Sequence, residues 1–157
     1  MDQLLKRRRA RGFSLIELLI VIAIILIIIT IAVPKFQHAQ MMARETAALQ
    51  AIKAIHTAEV EYYSQYGRYA TSLTELGPPA SGAPSSAAAD VIGNDVSGGE
   101  KQGYKYTVTA TQGGYIISAV PVSFGTSGSR TFYSDQSMVI HYNEGPEPAT
   151  PQSKEMR

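Results

Sequence analysis

Hydrophobic and polar positions divide the chain into three stretches of different character. From Phe13 to Val33, 21 residues run with one ionisable side chain among them, Glu17. A helix of that length covers about 30 Å, the thickness of a hydrocarbon core. The buried helix of a water-soluble domain normally keeps a polar stripe. Ile22 to Ile31 offers only the Thr30 hydroxyl on an aliphatic surface, so this stretch predicts a membrane span. After Pro34 the pattern changes: Ala48, Ile52, Ile55, Ala58, Tyr62 and Tyr66 recur every three or four residues. That spacing predicts an amphipathic continuation, with Arg44, Glu45, Gln50, Lys53 and Glu61 on the solvent side. Gly67 is placed to end the helix in the left-handed conformation, and Pro34, which lacks a backbone donor, to bend or open it.

Beyond the helix the period shortens. Ser72 and Glu75 have capping-box spacing ahead of Gly77, Pro78 and Pro79, which predicts one short helical turn. Residues 77–103, rich in Ala, Ser and Gly, read as a long loop with room for a short helix at Ser85 to Val91. Tyr104 to Thr111 alternates strictly, with Tyr104, Tyr106, Val108 and Ala110 on one face. Tyr115 to Val122 is a second strand, and its Pro121 suggests a sheet edge or a strand end. Arg130 to Ser134 and Met138 to Tyr142 supply two more, before a Pro- and Glu-rich tail from Asn143. The expected fold class is α+β: a long N-terminal helix and a C-terminal antiparallel sheet of about four strands. The expected organisation is a basic lead over 1–12, an apolar helix over 13–33 and its amphipathic half over 34–66. A head follows over 67–157, with its loop at 77–103 and its meander at 104–142.

Charge sharpens this picture. The formal net charge of +1 hides an asymmetry, since the first twelve residues hold five basic side chains against Asp2. The rest of the chain keeps nine basic and twelve acidic side chains, which argues against a nucleic-acid-binding face on the head. Lys6, Arg7, Arg8, Arg9 and Arg11 ahead of an apolar span place the N-terminus in the cytoplasm and the bulk of the chain across the membrane. The span exceeds the core of an ordinary secretory signal, Ile31-Ala32-Val33 makes a poor cleavage site, and the arginines lack the lead-in of a twin-arginine signal.

Little in the chain points to catalysis. There is no cysteine, hence no disulfide framework or thiolate site. His38, His56 and His141 show no metal-ligand spacing and read as surface or rim residues. Oxygen ligands at Asp90, Asn94 and Asp95, or at Asp135, Asn143 and Glu144, would suit calcium, but neither group has EF-hand spacing and turn chemistry accounts for both. No cofactor is expected. The nine tyrosines, Tyr62, Tyr63, Tyr66 and Tyr69 among them, read as core and interface. No nucleophile elbow or phosphate loop is present, so the chain is not read as an enzyme.

Glu17 is the exception. A carboxylate in hydrocarbon costs about 2.5 to 3.5 kcal/mol on insertion scales, so an acid five residues into the span calls for a cation or for reach to the headgroups. The run Arg11-Gly12-Phe13-Ser14-Leu15-Ile16-Glu17-Leu18-Leu19 resembles the signal of type IV prepilins and type II secretion pseudopilins. By that resemblance a prepilin peptidase would cut between Gly12 and Phe13, removing 1–12 as a leader, and methylate the Phe13 amine. Glu17 and Phe13 would then pair between neighbouring subunits during assembly, and Pro34 would be the proline of the family's helix. The expected partners are further copies in a helical filament, the peptidase, and an inner-membrane assembly platform with its ATPase. The expected location is the inner membrane before assembly and an extracellular or periplasm-spanning filament afterwards. A structural pilin subunit is the first reading. A major pseudopilin, which the Tyr66-Gly67-Arg68-Tyr69 stretch resembles, and a non-polymerising signal-anchored binding protein are the alternatives.

Overall fold

A computed structural model describes residues 12–156 and separates the chain into two units, one ending at Phe36 and one beginning at Gln37. Helix α1 (Leu15–Tyr66) supplies the first unit with its apolar stretch and the second with the amphipathic one. In the first unit every described side chain is exposed, and the large apolar ones from Leu15 to Val33 show between 46% and 81% of their surface. Among the described residues no side chain of this unit packs into a core of its own, as expected of a helix whose apolar partner is lipid or another chain.

The second unit is an α+β head. The helical turns α2 (Leu73–Leu76) and α3 (Asn94–Ser97) precede six strands: β1 (Glu100–Lys101), β2 (Tyr104–Thr111), β3 (Gly114–Pro121), β4 (Thr131–Asp135), β5 (Ile140–Asn143) and β6 (Lys154–Glu155). They form one antiparallel meander in chain order. The alternation of β2 is as the sequence predicts, with Tyr104, Tyr106 and Val108 inward and Lys105, Thr107 and Thr109 outward. Across β2 and β3, Tyr104 faces Pro121 and Val108 faces Ile117. Pro121 closes a central strand: β4 reaches only to Ala119, so the missing N–H is not needed there.

The predicted stripe of α1 covers this sheet. Ala48, Ile52, Ile55, Ala58 and Tyr62 are buried with Tyr104, Tyr106, Tyr115, Ile117 and Phe132. The helix ends at Gly67, whose φ of +69° is left-handed and whose N–H donates to the Tyr63 carbonyl at 2.8 Å. Gly128 is required for a different reason. A Cβ there would lie 2.0 Å from the Tyr104 hydroxyl oxygen, and that hydroxyl donates to the Arg130 carbonyl at 2.8 Å. We expect Gly128→Ala to lower stability by about 1 to 3 kcal/mol through overpacking, read as a drop in the unfolding midpoint of the detergent-solubilised full chain.

Several expectations need correction. Glu45, assigned by helical spacing to the solvent face, is buried. Its Oε1 accepts from the Ser129 N–H and hydroxyl, both at 2.8 Å, and its Oε2 from Arg130 Nε at 2.9 Å. His56, read as a rim residue, is also buried. Ser134 donates its one hydroxyl proton to the Val139 carbonyl, so His56 Nε2–H must donate to Ser134, and Nδ1 accepts from the Tyr115 hydroxyl at 2.7 Å. That is the neutral imidazole, and burial pushes its pKa down accordingly.

No helix forms at Ser85 to Val91. That stretch instead makes a bridge between Ser85 and Ala88, and the N–H groups of Ala89, Asp90, Val91 and Ile92 donate to carbonyls of residues 75–77. The capping box at Ser72 is absent too, because Glu75 turns back to the Thr71 N–H and hydroxyl and to Arg68. The sheet has six strands where about four were expected, since β1 pairs ahead of β2 and the tail returns as β6, with the Met156 N–H donating to the Ile140 carbonyl.

Candidate functional site

Gly12, Phe13 and Ser14 lie outside α1, and the helix begins at Leu15. Residues 1–11, which carry the basic side chains of the expected leader, lie outside the described residues. The helix start has a local cause. Leu18 N–H donates to the Ser14 carbonyl at 3.2 Å, and Glu17 Oε2 accepts from the Ser14 N–H at 2.8 Å. Ser14 is thus the N-cap and Glu17 the third helical position, the reciprocal arm of a capping box. The signal is the Ser-x-x-Glu spacing of Ser14-Leu15-Ile16-Glu17, the same spacing that Ser72 and Glu75 show without forming a box.

The geometry leaves the Gly12–Phe13 bond in non-helical, open chain. Gly12 has no neighbour within 4 Å of a built Cβ, and Phe13 is 79% exposed. A protease needs an extended segment threaded past its catalytic groups, which a helix denies. One turn further, Glu17 presents the first-turn acid that the helix dipole favours. Within one chain the carboxylate thus has a donor, and its burial in lipid is partly offset before any second copy arrives.

Pro34 stays inside α1. It offers no N–H to the Thr30 carbonyl one turn back, and the Thr30 hydroxyl donates to Leu26 instead, at 2.8 Å. Of the sequence-predicted residues, Gly12, Phe13 and Glu17 therefore fall within the first turn of α1 and its approach. Pro34 lies some five turns along.

Three of the groups weighed for calcium have partners within the head. Asp95 pairs with Lys101 at 2.5 Å, Asp135 accepts from the Ser137 N–H, and Asn143 donates to the Glu147 carbonyl. Among the described residues no three His, Asp or Glu side chains are placed to hold a metal ion.

Residues 7–33 match the family model described as the prokaryotic N-terminal methylation motif. That span contains the Gly12–Phe13 junction, Glu17 and the whole apolar stretch. The chain is also 42% identical over 69 residues to the type IV major pilin protein PilA of Myxococcus xanthus, covering 44% of this chain and 31% of the relative. Through this segment the chain is similar to the type IV major pilins. A second relative, the type IV major pilin protein PilE1 of Neisseria gonorrhoeae, is 36% identical over 67 residues, 43% of this chain and 41% of its own. A fimbrial protein of Neisseria meningitidis matches at 36% over 67 residues, 43% of this chain and 39% of its own. The chain spans less than half the length of these relatives. The long apolar helix followed by an antiparallel sheet is pilin-like in architecture.

Proposed function

We propose that this chain is the precursor of a filament-forming type IV pilin of the major-pilin kind. One observation carries the reading: a single acid, Glu17, in the first turn of the otherwise apolar and uncovered N-terminal stretch of α1, directly after an open Gly12–Phe13 bond. Cutting that bond would create an amine on Phe13. The amine of one copy and the Glu17 carboxylate of the next are opposite charges on apolar rods, and pairing them would set an axial stagger while lowering the burial cost. The exposed surface from Leu15 to Val33 would then exchange lipid for the same stretch of neighbouring copies.

On this reading residues 1–12 are a leader removed by a prepilin peptidase, 13–33 hold the subunit in the inner membrane and later form the filament core, and 34–66 carry the head. A membrane-embedded platform with an ATPase supplies the work of extraction, because pulling a 21-residue apolar helix from lipid does not occur unaided. Pro34 gives the helix a point where a backbone acceptor is already free, and hence a place to bend during packing. Relatives named as major pilins and fimbrial proteins favour a surface filament over the secretion pseudopilus.

N-terminal sequencing of the protein recovered from its native cell tests this directly. The expected result is a chain starting at methylated Phe13, together with surface fibres that contain it by immunogold imaging. Retention of Met1 to Gly12 in the functional form overturns the proposal and favours a signal-anchored monomer. A processed chain confined to short periplasmic assemblies selects the pseudopilus.

A further inference from the structure

The head contains one buried side-chain oxygen without a partner among the described residues, Glu59 Oε1. The Glu59 side chain sits at 0% exposure on α1, and its other oxygen, Oε2, accepts from the Ala70 N–H at 2.9 Å. That bond reaches across the helix end: it ties the turn that follows Gly67 back onto the last turns of α1. The same turn is held from outside by Glu75, which accepts from Thr71 N–H and pairs with Arg68 at 2.9 Å.

We propose that Glu59 is a proton-controlled fastener for this turn: with the carboxyl neutral, Gly67–Thr71 stays closed on the core, and with the carboxylate charged, the turn opens to bring water to it. A buried carboxylate with one hydrogen bond and no cation is poorly compensated. The groups facing it do not neutralise it. These are Arg68 on the turn, Glu75 on α2 and Tyr115 on β3. Arg68 is committed to Glu75, whose own charge opposes that of Glu59. Tyr115 is lifted to about 12 and stays neutral. Desolvation accordingly raises Glu59 to about 7, with the Ala70 bond and Arg68 pulling the other way.

The sign follows by linkage. An acid whose closed-state pKa lies above its hydrated value near 4.5 favours closure most at low pH, and that advantage fades as pH rises from 4.5 to about 7, then stays level. His56 works in the opposite sense, because with its pKa depressed below the ordinary 6.5 its charging in the unfolded chain opposes folding as pH falls below 6.5, until the depressed value is reached. Opening the turn also reshapes the surface, since Gly67, Arg68, Tyr69 and Thr71 form one wall of a groove of about 410 Å³ whose other wall is the β2–β3 hairpin. The fastener is independent of whether the chain polymerises.

The test is amide hydrogen exchange at Ala70 on the detergent-solubilised full chain, corrected for intrinsic rates. Protection should fall roughly 50-fold between pH 5 and pH 8 and level off near the top of that range, while Glu59→Gln flattens the profile. Direct carbon-13 titration of the Glu59 carboxyl in the unaltered chain should show a midpoint near 7. A flat wild-type profile, an equal fall in Glu59→Gln, or a midpoint at the ordinary carboxylate value would each overturn the proposal.

Discussion

Glu17→Leu should abolish filament formation while leaving membrane insertion intact. Leucine suits the span better than an acid does, by about 2.5 to 3.5 kcal/mol on insertion scales, so the subunit should still accumulate in the membrane. What it loses is the sole anionic group of the apolar stretch and with it the partner proposed for the neighbouring amine. The Glu17 carboxylate also caps its own helix by accepting from Ser14, a contribution of about 1 kcal/mol. Glu17→Gln separates the two roles, since the amide oxygen can still accept from Ser14 but carries no charge. Filament yield by shearing and electron microscopy, against membrane-fraction yield by immunoblot, is the measurement. Loss in both variants identifies charge pairing as the requirement. Normal yield in Glu17→Gln reduces the residue to a helix cap, and normal yield in Glu17→Leu removes it from assembly altogether.

The largest effect on the head should come from Glu45→Ala, with a loss of about 3 kcal/mol of stability. Breaking a buried pair by removing one partner typically costs 3 to 5 kcal/mol. The lower end applies because the Arg130 side chain is 31% exposed and can rehydrate. Ser129 cannot recover as easily, since its N–H and hydroxyl both lose their acceptor. Glu45→Gln retains one acceptor oxygen and should cost about half as much. Chemical denaturation of the full chain in detergent checks both, and a change below about 0.5 kcal/mol in Glu45→Ala would show that the pair adds nothing net.

These residues also show where sequence reading reaches its limit. The stripe of Ala48, Ile52, Ile55, Ala58 and Tyr62 was legible because every member is apolar and the helical period alone brings them to one side. Glu45, His56 and Glu59 lie on or beside that same buried side, yet polarity assigned them outward or passed them over. Their burial depends on groups 59 to 85 residues away for Glu45 and His56, and 11 residues away across a turn for Glu59. No local pattern encodes such partners. The capping boxes make the same point in miniature: Ser72 and Glu75 have the spacing, but Arg68 and Thr71 compete for the carboxylate.

The apolar N-terminal stretch was the most legible part of all, because its physics is one-dimensional. A basic cluster, a small residue, a continuous apolar run and one acid within it act through length and transfer energy, and neither needs a folded partner to be evaluated. Strand β2 and the Gly67 helix end were likewise determined by period and by backbone freedom. Only the tertiary structure decided that residues 89–92 lie pinned along the end of α2, that the tail returns as β6, and that Glu45, His56 and Glu59 of α1 sit inside the head. Two-residue strands and irregular segments have no period to read. Their place is set by which backbone groups remain unpaired once the sheet and helix have formed.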